Sequence, residues 1–442
     1  MSRSLTFLSQ QTSLLFCIAA LAGGILTSPL NAAEKLGENK PVAAPFEGPF
    51  RPEVGKFPPV DKALSYRGEI VFIDHANRRG SIRVQGEGTY FRNPPHPFTL
   101  LPYGMVRYHG APADLRDIPL ETVMHALAYL PPDPATSSVP VLPVDQRNKT
   151  SGYSGKGITP AENHVALLED EPSHCLRNGL VWKLQDIDVK NREAMVTASR
   201  EPRANADPSA TREKLTLDAA TRIWRGRERV GIDEMISEGA WPAEGKKALD
   251  GQSVLLGISW IPTPDGIFTR FHISDIWLDE ASMEHAAKHQ SERHKASIRQ
   301  RWMPAWVDAV DYGKFGRATI TATLFGGMDA ALYADFEKGV QAAMNGVENT
   351  LKHAGGAYGP AHMASRGTIL EVLQPKGEVP FCSSGIQIRF ETDLIIEGIR
   401  PGRVVRVRPA SWPLVNVPRE EYIGDSNAPE DRFPTPTLFP KY

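Results

Sequence analysis

Hydrophobic residues in this chain fall into short runs, and two of those runs echo one another. Residues 123–131, VMHALAYLP, and 254–262, VLLGISWIP, each open on Val, place an aromatic residue two positions before Pro, and stop there. The echo continues upstream, where 98–110, FTLLPYGMVRYHG, lies beside 215–226, LTLDAATRIWRG. The spacing from Thr99 to Val106 equals that from Thr216 to Ile223, and Leu115 and Ile232 each follow nine residues later. Further upstream, Asp74-x-x-Asn77-Arg78 and Asp188-x-x-Asn191-Arg192 each sit between two apolar runs. Three matched landmarks in one order predict a duplicated β-rich domain.

Taken in order, the pattern predicts a signal segment at 1–33, a Pro-rich lead at 34–62 and a first β-barrel at 63–132. A linker at 133–175 follows, with a short capped helix running from Thr159 to about Asp170. The second barrel spans 176–280. Residues 281–303 have no strand pattern. Five Lys/Arg and three His among few large apolar residues describe a solvated connecting helix. The part from 304 to 418 differs in kind. RATITATL at 317–324 alternates strictly, as a strand with one wet face does. Leu332, Phe336, Val340, Ala343, Val347 and Leu351 then recur at helical spacing, and strands follow at 369–373, 385–390 and 403–408. One long helix among antiparallel strands predicts an α+β domain, and the Pro-rich residues 419–442 an extended tail.

The Asp-x-x-Asn-Arg hairpins and the Thr-Leu…Val/Ile…Pro skeleton resemble the small OB-like β-barrels found in tandem in exported bacterial proteins of unassigned function. The full order, with LFGGMD at 324–329 and EGIRPGRVVRV at 397–407, resembles secreted proteins of planctomycete-type bacteria. The resemblance implies a mainly β fold and an exported compartment. It implies no chemistry.

Composition narrows the function classes. A net charge of −2 gives no global attraction to nucleic acid or to an anionic membrane, so no nucleic-acid partner is expected. Arg3, the apolar run 14–25 and the small residues around Ala32-Ala33 have the form of an export signal, placing the mature start near Glu34. Beyond it no stretch is long and apolar enough to span a bilayer, and an uncleaved anchor is the other reading of the same run. Two cysteines outside the signal, Cys175 and Cys382, lie in different predicted domains, and two buried thiols are as good a reading as a bridge.

Candidate chemistry is sparse. Arg83 with Tyr90 and Arg92, and Arg222 with Trp224 and Arg225, form arginine–aromatic strands suited to stacking on a flat or sugar-like ligand. His285 and His289 stand one helical turn apart, a spacing that can chelate a metal, but Ala286 occupies the place where a zinc protease needs Glu. Cys382-Ser-Ser-Gly385 lacks a neighbouring base and reads as a turn. The GYSGKG loop at 152–157 lacks the full phosphate-loop spacing, and the acidic stretch 425–431 lacks a calcium loop's glycine. No cofactor is expected. The favoured reading is a non-enzymatic envelope protein that binds a polymer or protein partner. The alternative is a hydrolase whose site is assembled between domains.

Overall fold

Period-two runs become strands, and in the computed structural model the strands close into three separate rings. The structure describes residues 50–84, 95–132, 162–190, 193–203, 210, 212–239, 253–262, 269–346, 364–395 and 399–413. The expected features at Tyr90, Arg92, 152–157, Thr159, Asn191-Arg192 and 425–431 lie outside the described residues.

Ring 1 is built from β1 (Leu64–Asp74), β2 (Arg79–Val84), β3 (His96–Tyr108), β4 (Ala111–Pro112), β5 (Val123–Tyr129) and β6 (His164–Asp170). Its order runs β1-β2-β3-β6-β5 and back to β1, with β3 and β6 parallel and β4 appended to β3. Helix α1 (Glu171–Asn178) leads into ring 2: β7 (Leu180–Lys190), β8 (Glu193–Pro202), β9 (Arg212–Leu217), β10 (Arg222–Arg225), β11 (Glu228–Val230), α2 (Ile232–Ser237), β12 (Ser253–Pro262) and β13 (Thr269–Trp277). That ring runs β7-β8-β9-β13-β12, and both β9 and β10 lie parallel to β13.

Both rings therefore have the five-stranded Greek-key order of an OB-type barrel. VMHALAYLP and VLLGISWIP hold the same place, between the first strand and the parallel-paired last one. The register agrees as well. Thr99 pairs with His164 and Val106 with Leu168, while Thr216 pairs with His272 and Ile223 with Ile276. Alternate positions fill each interior: Ile70, Ile82, Phe98 and Leu168 in ring 1, and Trp182, Leu215, Leu256 and Ile276 in ring 2, all buried.

Helix α3 (Glu280–Arg301) connects to ring 3, made of β14 (Met303–Tyr312), β15 (Ala318–Phe325), α4 (Ala330–Ala334), β16 (Gln341–Asn345), β17 (Ser365–Leu373), β18 (Ser383–Thr392) and β19 (Val404–Pro409). It closes in the order β14-β15-β18-β17-β16-β19, with every neighbour antiparallel. All of RATITATL but Arg317 lies in β15 with its alternation intact, and Ile320, Ala322 and Leu324 are fully buried.

The mainly β class is thus realised, with corrections in its helices. The long helix expected from Leu332 is a single turn, α4. Gly339, at φ +86°, redirects the backbone, and Ala343 lies in strand β16. The C-terminal part is a third closed barrel carrying that turn. The helix expected to reach Asp170 is strand β6, whose seven residues are all buried, so its apolar run is continuous rather than alternating. The actual helix, α1, starts one residue later. The Asp170 carboxylate caps it by accepting from the Ser173 N–H at 3.0 Å, and Gly179 at φ +65° ends it.

Two further expectations change. The lead at 34–62 packs where it is described: Phe50 lies tilted against Tyr129 with ring centroids 5.7 Å apart, and Phe57 lies 5.5 Å from Tyr103 and 6.0 Å from Phe325. The connecting helix is polar and solvated along one face, while the other face packs against all three rings. Met283 packs into ring 2, Gln290 and Arg293 bind Asp117 of ring 1, and Ser291 and Arg299 reach Asp329 and Asp335 of ring 3. Its polarity suits polar neighbours.

Rings 1 and 3 also meet directly. Tyr103, Trp306 and Phe325 form a buried aromatic triangle with centroids 5.5–6.2 Å apart. Removing a buried aromatic from such a contact costs about 3–5 kcal/mol. Phe325→Ala is therefore expected to lower the unfolding free energy by that amount and shift the urea midpoint down accordingly, with Trp306 fluorescence following the same transition; an unchanged midpoint would show that the junction is not tightly packed.

Candidate functional site

The residues singled out from the sequence separate into distinct places. Arg83 lies in β2, and its guanidinium is held by the buried carboxylate of Glu69, its cross-strand partner. Arg222 and Trp224 do come together, on one acid: Arg222 Nη2 stands 2.6 Å from Asp275 Oδ2, and Trp224 Nε1 donates to Asp275 Oδ1 at 2.8 Å. Arg225 points elsewhere, to Glu238 at 2.7 Å, in an exposed pair. His285 and His289 are exposed on α3, and among the described residues no cluster of three His, Cys, Asp or Glu could hold a metal. Cys382 opens the turn into β18 at φ +69°, and its carbonyl accepts from Gly326 N–H at 2.7 Å. Cys175 and Cys382 are both buried free thiols.

Two charged clusters that no local motif announced lie at the junctions between rings. The first is centred on Glu171, fully buried at the start of α1 between rings 1 and 2. One carboxylate oxygen stands 2.7 Å from Arg200 Nε and accepts from Trp182 Nε1 at 3.1 Å; the other meets His125 Nε2 at 2.7 Å and Arg67 Nη2 at 3.3 Å. The Arg200 guanidinium lies over the Trp182 ring, Arg67 over Phe271, and His125 stacks on His174 at 3.8 Å. Burial alone pushes the Glu171 carboxyl up, but Arg67, His125 and Arg200 together hold it well below the ordinary glutamate range. The same burial, helped by the Glu171 charge, pushes the Cys175 thiol well up, so it stays neutral. Burial also lowers His125, to about 4, against the pull of Glu171.

The second cluster lines a cavity of about 50 Å³ between ring 1, α3 and ring 3. The hairpin Asp-x-x-Asn-Arg builds one wall. Asp74 Oδ1 accepts from the Asn77 backbone and side-chain amides, which places Arg78 in the left-handed region at φ 54°. Arg78 Nη2 then donates to the carbonyls of Gly104 at 2.8 Å and Leu101 at 3.2 Å. Helix α3 contributes His294 and Arg301, and Arg301 Nη1 donates to Ser297 Oγ at 2.6 Å. Ring 3 contributes Arg406, whose Nη1 donates to the Trp302 carbonyl at 2.9 Å, and the turn Gly326-Gly327. Gly327 is required there: at φ +76°, an added Cβ would stand 2.6 Å from the Met105 side chain.

Among the described residues, Arg78, Arg116, Arg301, Arg406 and Asp114 are the charged side chains that line this cavity. Asp114 is itself engaged by Ser297 and by Arg116 at 3.6 Å. Two further acids stand close by: Asp117 accepts from Asp114 N and Gln290 Nε2 and pairs with Arg293, Asp329 meets Ser291 and Lys295, and both act on His294. Burial, reinforced by Arg78 and Arg301, lowers Arg406 well below the usual arginine range, and burial lowers Arg78 despite Asp114. Arginine keeps its proton in proteins, so the shift expresses an uncompensated buried charge rather than a neutral side chain. Asp114 responds in the opposite sense and falls to about 2: burial opposes this, and His294 and Arg301 overcome it.

No family model, no curated protein and no solved structure matches this chain. Neither cluster can therefore be assigned by likeness, and each stands on its own geometry.

The Glu171 cluster yields a prediction with a definite sign. A carboxyl whose folded pKa is depressed adds stability above its unfolded pKa, near 4.5, and loses it as pH falls through the folded value. Breaking such a buried pair leaves the guanidinium groups unmatched and costs about 3–5 kcal/mol. Glu171→Gln is expected to lower stability by that amount in urea melts at pH 7, with the gap to the wild type narrowing below pH 4. Asp170, raised by burial to about 7, titrates with the opposite sign in both proteins and cancels from the difference. A gap constant from pH 3 to pH 7 would show that the Glu171 charge is not what holds the junction.

Proposed function

We propose that this protein is a non-enzymatic binding protein of the cell envelope, exported on the segment ahead of Glu34. Its OB-like rings 1 and 2 arose by duplication, and its binding centre is the arginine-lined cavity beneath ring 3. The observation that carries the reading is the lining of that cavity: among the described residues four arginines and one aspartate line it, and the buried Nε atoms of Arg78 and Arg406 have no hydrogen-bond partner there. Nothing in packing alone calls for buried guanidinium groups, since apolar side chains of similar volume are commonly as stable or more so. A site of that kind suits an acidic group on a partner or polymer. The duplication rests on the matched spacing in sequence and on the common strand order of the two rings. No described helix is long and apolar enough to cross a membrane.

The hydrolase alternative draws no support from the groups nearest to such chemistry. Cys175 stands close to a His–Glu pair, as a thiol nucleophile would, but its thiol is held neutral and its sulfur lies 3.6 Å from the carboxylate rather than on the imidazole.

Two measurements test the reading. N-terminal sequencing of the protein from its native cell is expected to begin near Glu34; intact Met1 in a cytosolic fraction would overturn export. Immobilised protein is expected to retain an anionic component from envelope extracts, at least tenfold less with Arg406→Met. Equal retention by both proteins would remove the cavity from the binding function.

A further inference from the structure

We infer that ring 3 carries a site of its own, a surface cleft for a hydroxyl-rich polysaccharide. It lies at the rim where the β14–β15 hairpin meets the end of β18. A sugar ring stacks on Phe315, and its hydroxyls bond to Asp311, Thr319 and Glu391. This goes beyond the binding reading above, since the cleft and the arginine-lined cavity share no lining residue among the described residues.

Three observations converge on this chemistry. Phe315 is 97% exposed and Tyr312 72%, and among the described residues these are the two exposed aromatic side chains. The backbone holds the Phe315 ring out: φ is 61° there and +78° at Gly316, and Gly313 N–H closes the loop on the Arg317 carbonyl at 2.8 Å. Bulky residues adopt the left-handed region rarely, so a ring kept there in water, burying nothing of the fold, marks a contact surface. Second, a cleft of about 410 Å³ opens beside that ring, lined also by Asp311, Lys314, Arg317, Thr319 and Glu391. That is the size of a small-ligand cleft, roughly 300–1,000 Å³, and has room for a short stretch of sugar chain. Third, strand register sets the polar wall. Asp311 pairs with Thr319, Thr319 with Glu391 and Glu391 with Thr368, while the next positions, Ile320, Phe390 and Ile369, are turned into the barrel. Carboxylate and hydroxyl groups therefore alternate side by side on the outer face of ring 3.

A sugar ring has one apolar C–H face and an edge of hydroxyls that both donate and accept. The cleft offers a matching set: an aromatic plate, carboxylates that accept, an ammonium that donates and a threonine hydroxyl that does both. Arg317 adds a donor braced by Asp393 at 3.0 Å. A bilayer fits this rim less well, because Asp311, Glu391 and Asp393 would be carried toward the lipid phosphates along with the ring.

The test is co-sedimentation of the purified protein with cellulose, chitin and starch particles. Phosphatidylglycerol–phosphatidylcholine vesicles and sedimentation velocity of the protein alone run beside it. At least one of the three polysaccharides is expected to retain the wild type. Phe315→Ala is expected to weaken that retention about tenfold, the loss of one aromatic stack, and Phe315→Trp to keep it. Asp311→Ala combined with Glu391→Ala, which removes the acceptors, is expected to weaken it by a similar factor. Met195→Ala, exposed on ring 2, is expected to bind as the wild type does. All four positions are exposed, so an unchanged Tm accompanies each variant. Three results would overturn the inference: no retention by any of the three polysaccharides, retention indifferent to Phe315→Ala, or retention that depends on Phe315 but not on the acids. Phe315-dependent binding to vesicles alone would overturn it in favour of a lipid contact, and Phe315-dependent dimerisation in favour of an interface between copies. Failure here leaves the Arg406→Met retention experiment, and the cavity it probes, untouched.

Discussion

A closed barrel has no free strand edge, and that constraint governs how this chain is put together. Each of the three rings pairs its strands internally, so neighbouring rings cannot extend one another's sheets. Between rings 1 and 2 the described backbone contact is confined to the bridge Thr122–Ser259 and the adjoining bond from Trp260 N to Glu121 O. Cohesion must come from side chains instead. An aromatic triangle joins ring 1 to ring 3, a buried carboxylate joins ring 1 to ring 2, and a polar helix threads past all three. The charged junctions follow from this geometry: the outer faces of barrel strands alternate toward water, and docking two such faces buries their polar residues.

This explains what the sequence discloses and what it hides. Period-two alternation marks interior positions, so β15 and the paired runs VMHALAYLP and VLLGISWIP are legible at once. Asp-x-x-Asn-Arg is legible as a hairpin because its carboxylate closes the turn locally. Helical spacing misleads at Leu332–Ala343, because one glycine at positive φ converts the second half into a strand while leaving the apolar positions in place. Strand β6 misleads for the opposite reason. Buried on both faces, it lacks the alternation that announces a strand. Helix α3 looks solvated all round because composition records polarity and not whether the neighbour is water or protein.

The two junction clusters are illegible for a stronger reason. Arg78, Asp114, Arg301 and Arg406 belong to four elements spread over most of the chain, and no spacing rule connects them. Arg406 sits between Val405 and Val407, both turned into ring 3, so alternation assigns it to the wet face of β19. Only the docking of ring 1 and α3 over that face makes it buried. Glu171 is similar, since its value as a junction depends on Arg67 and Arg200 arriving from different rings.

The ring orders also bear on the sequence of events in folding. The parallel partner of β3 is β6, which lies beyond β5 in the chain, so ring 1 stays open until well after its first five strands exist. Ring 3 is more extreme: β14, its first strand, has β19, its last, as a partner, and β19 also pairs with β16. Contacts between residues so far apart carry a large loop-closure cost and slow the approach to the native state. Because β19 carries Arg406, the junction cavity acquires its third wall only in the final closure. During synthesis, open barrel edges are therefore exposed for longest at the C-terminal end, the kinetic counterpart of a fold whose finished form exposes almost none.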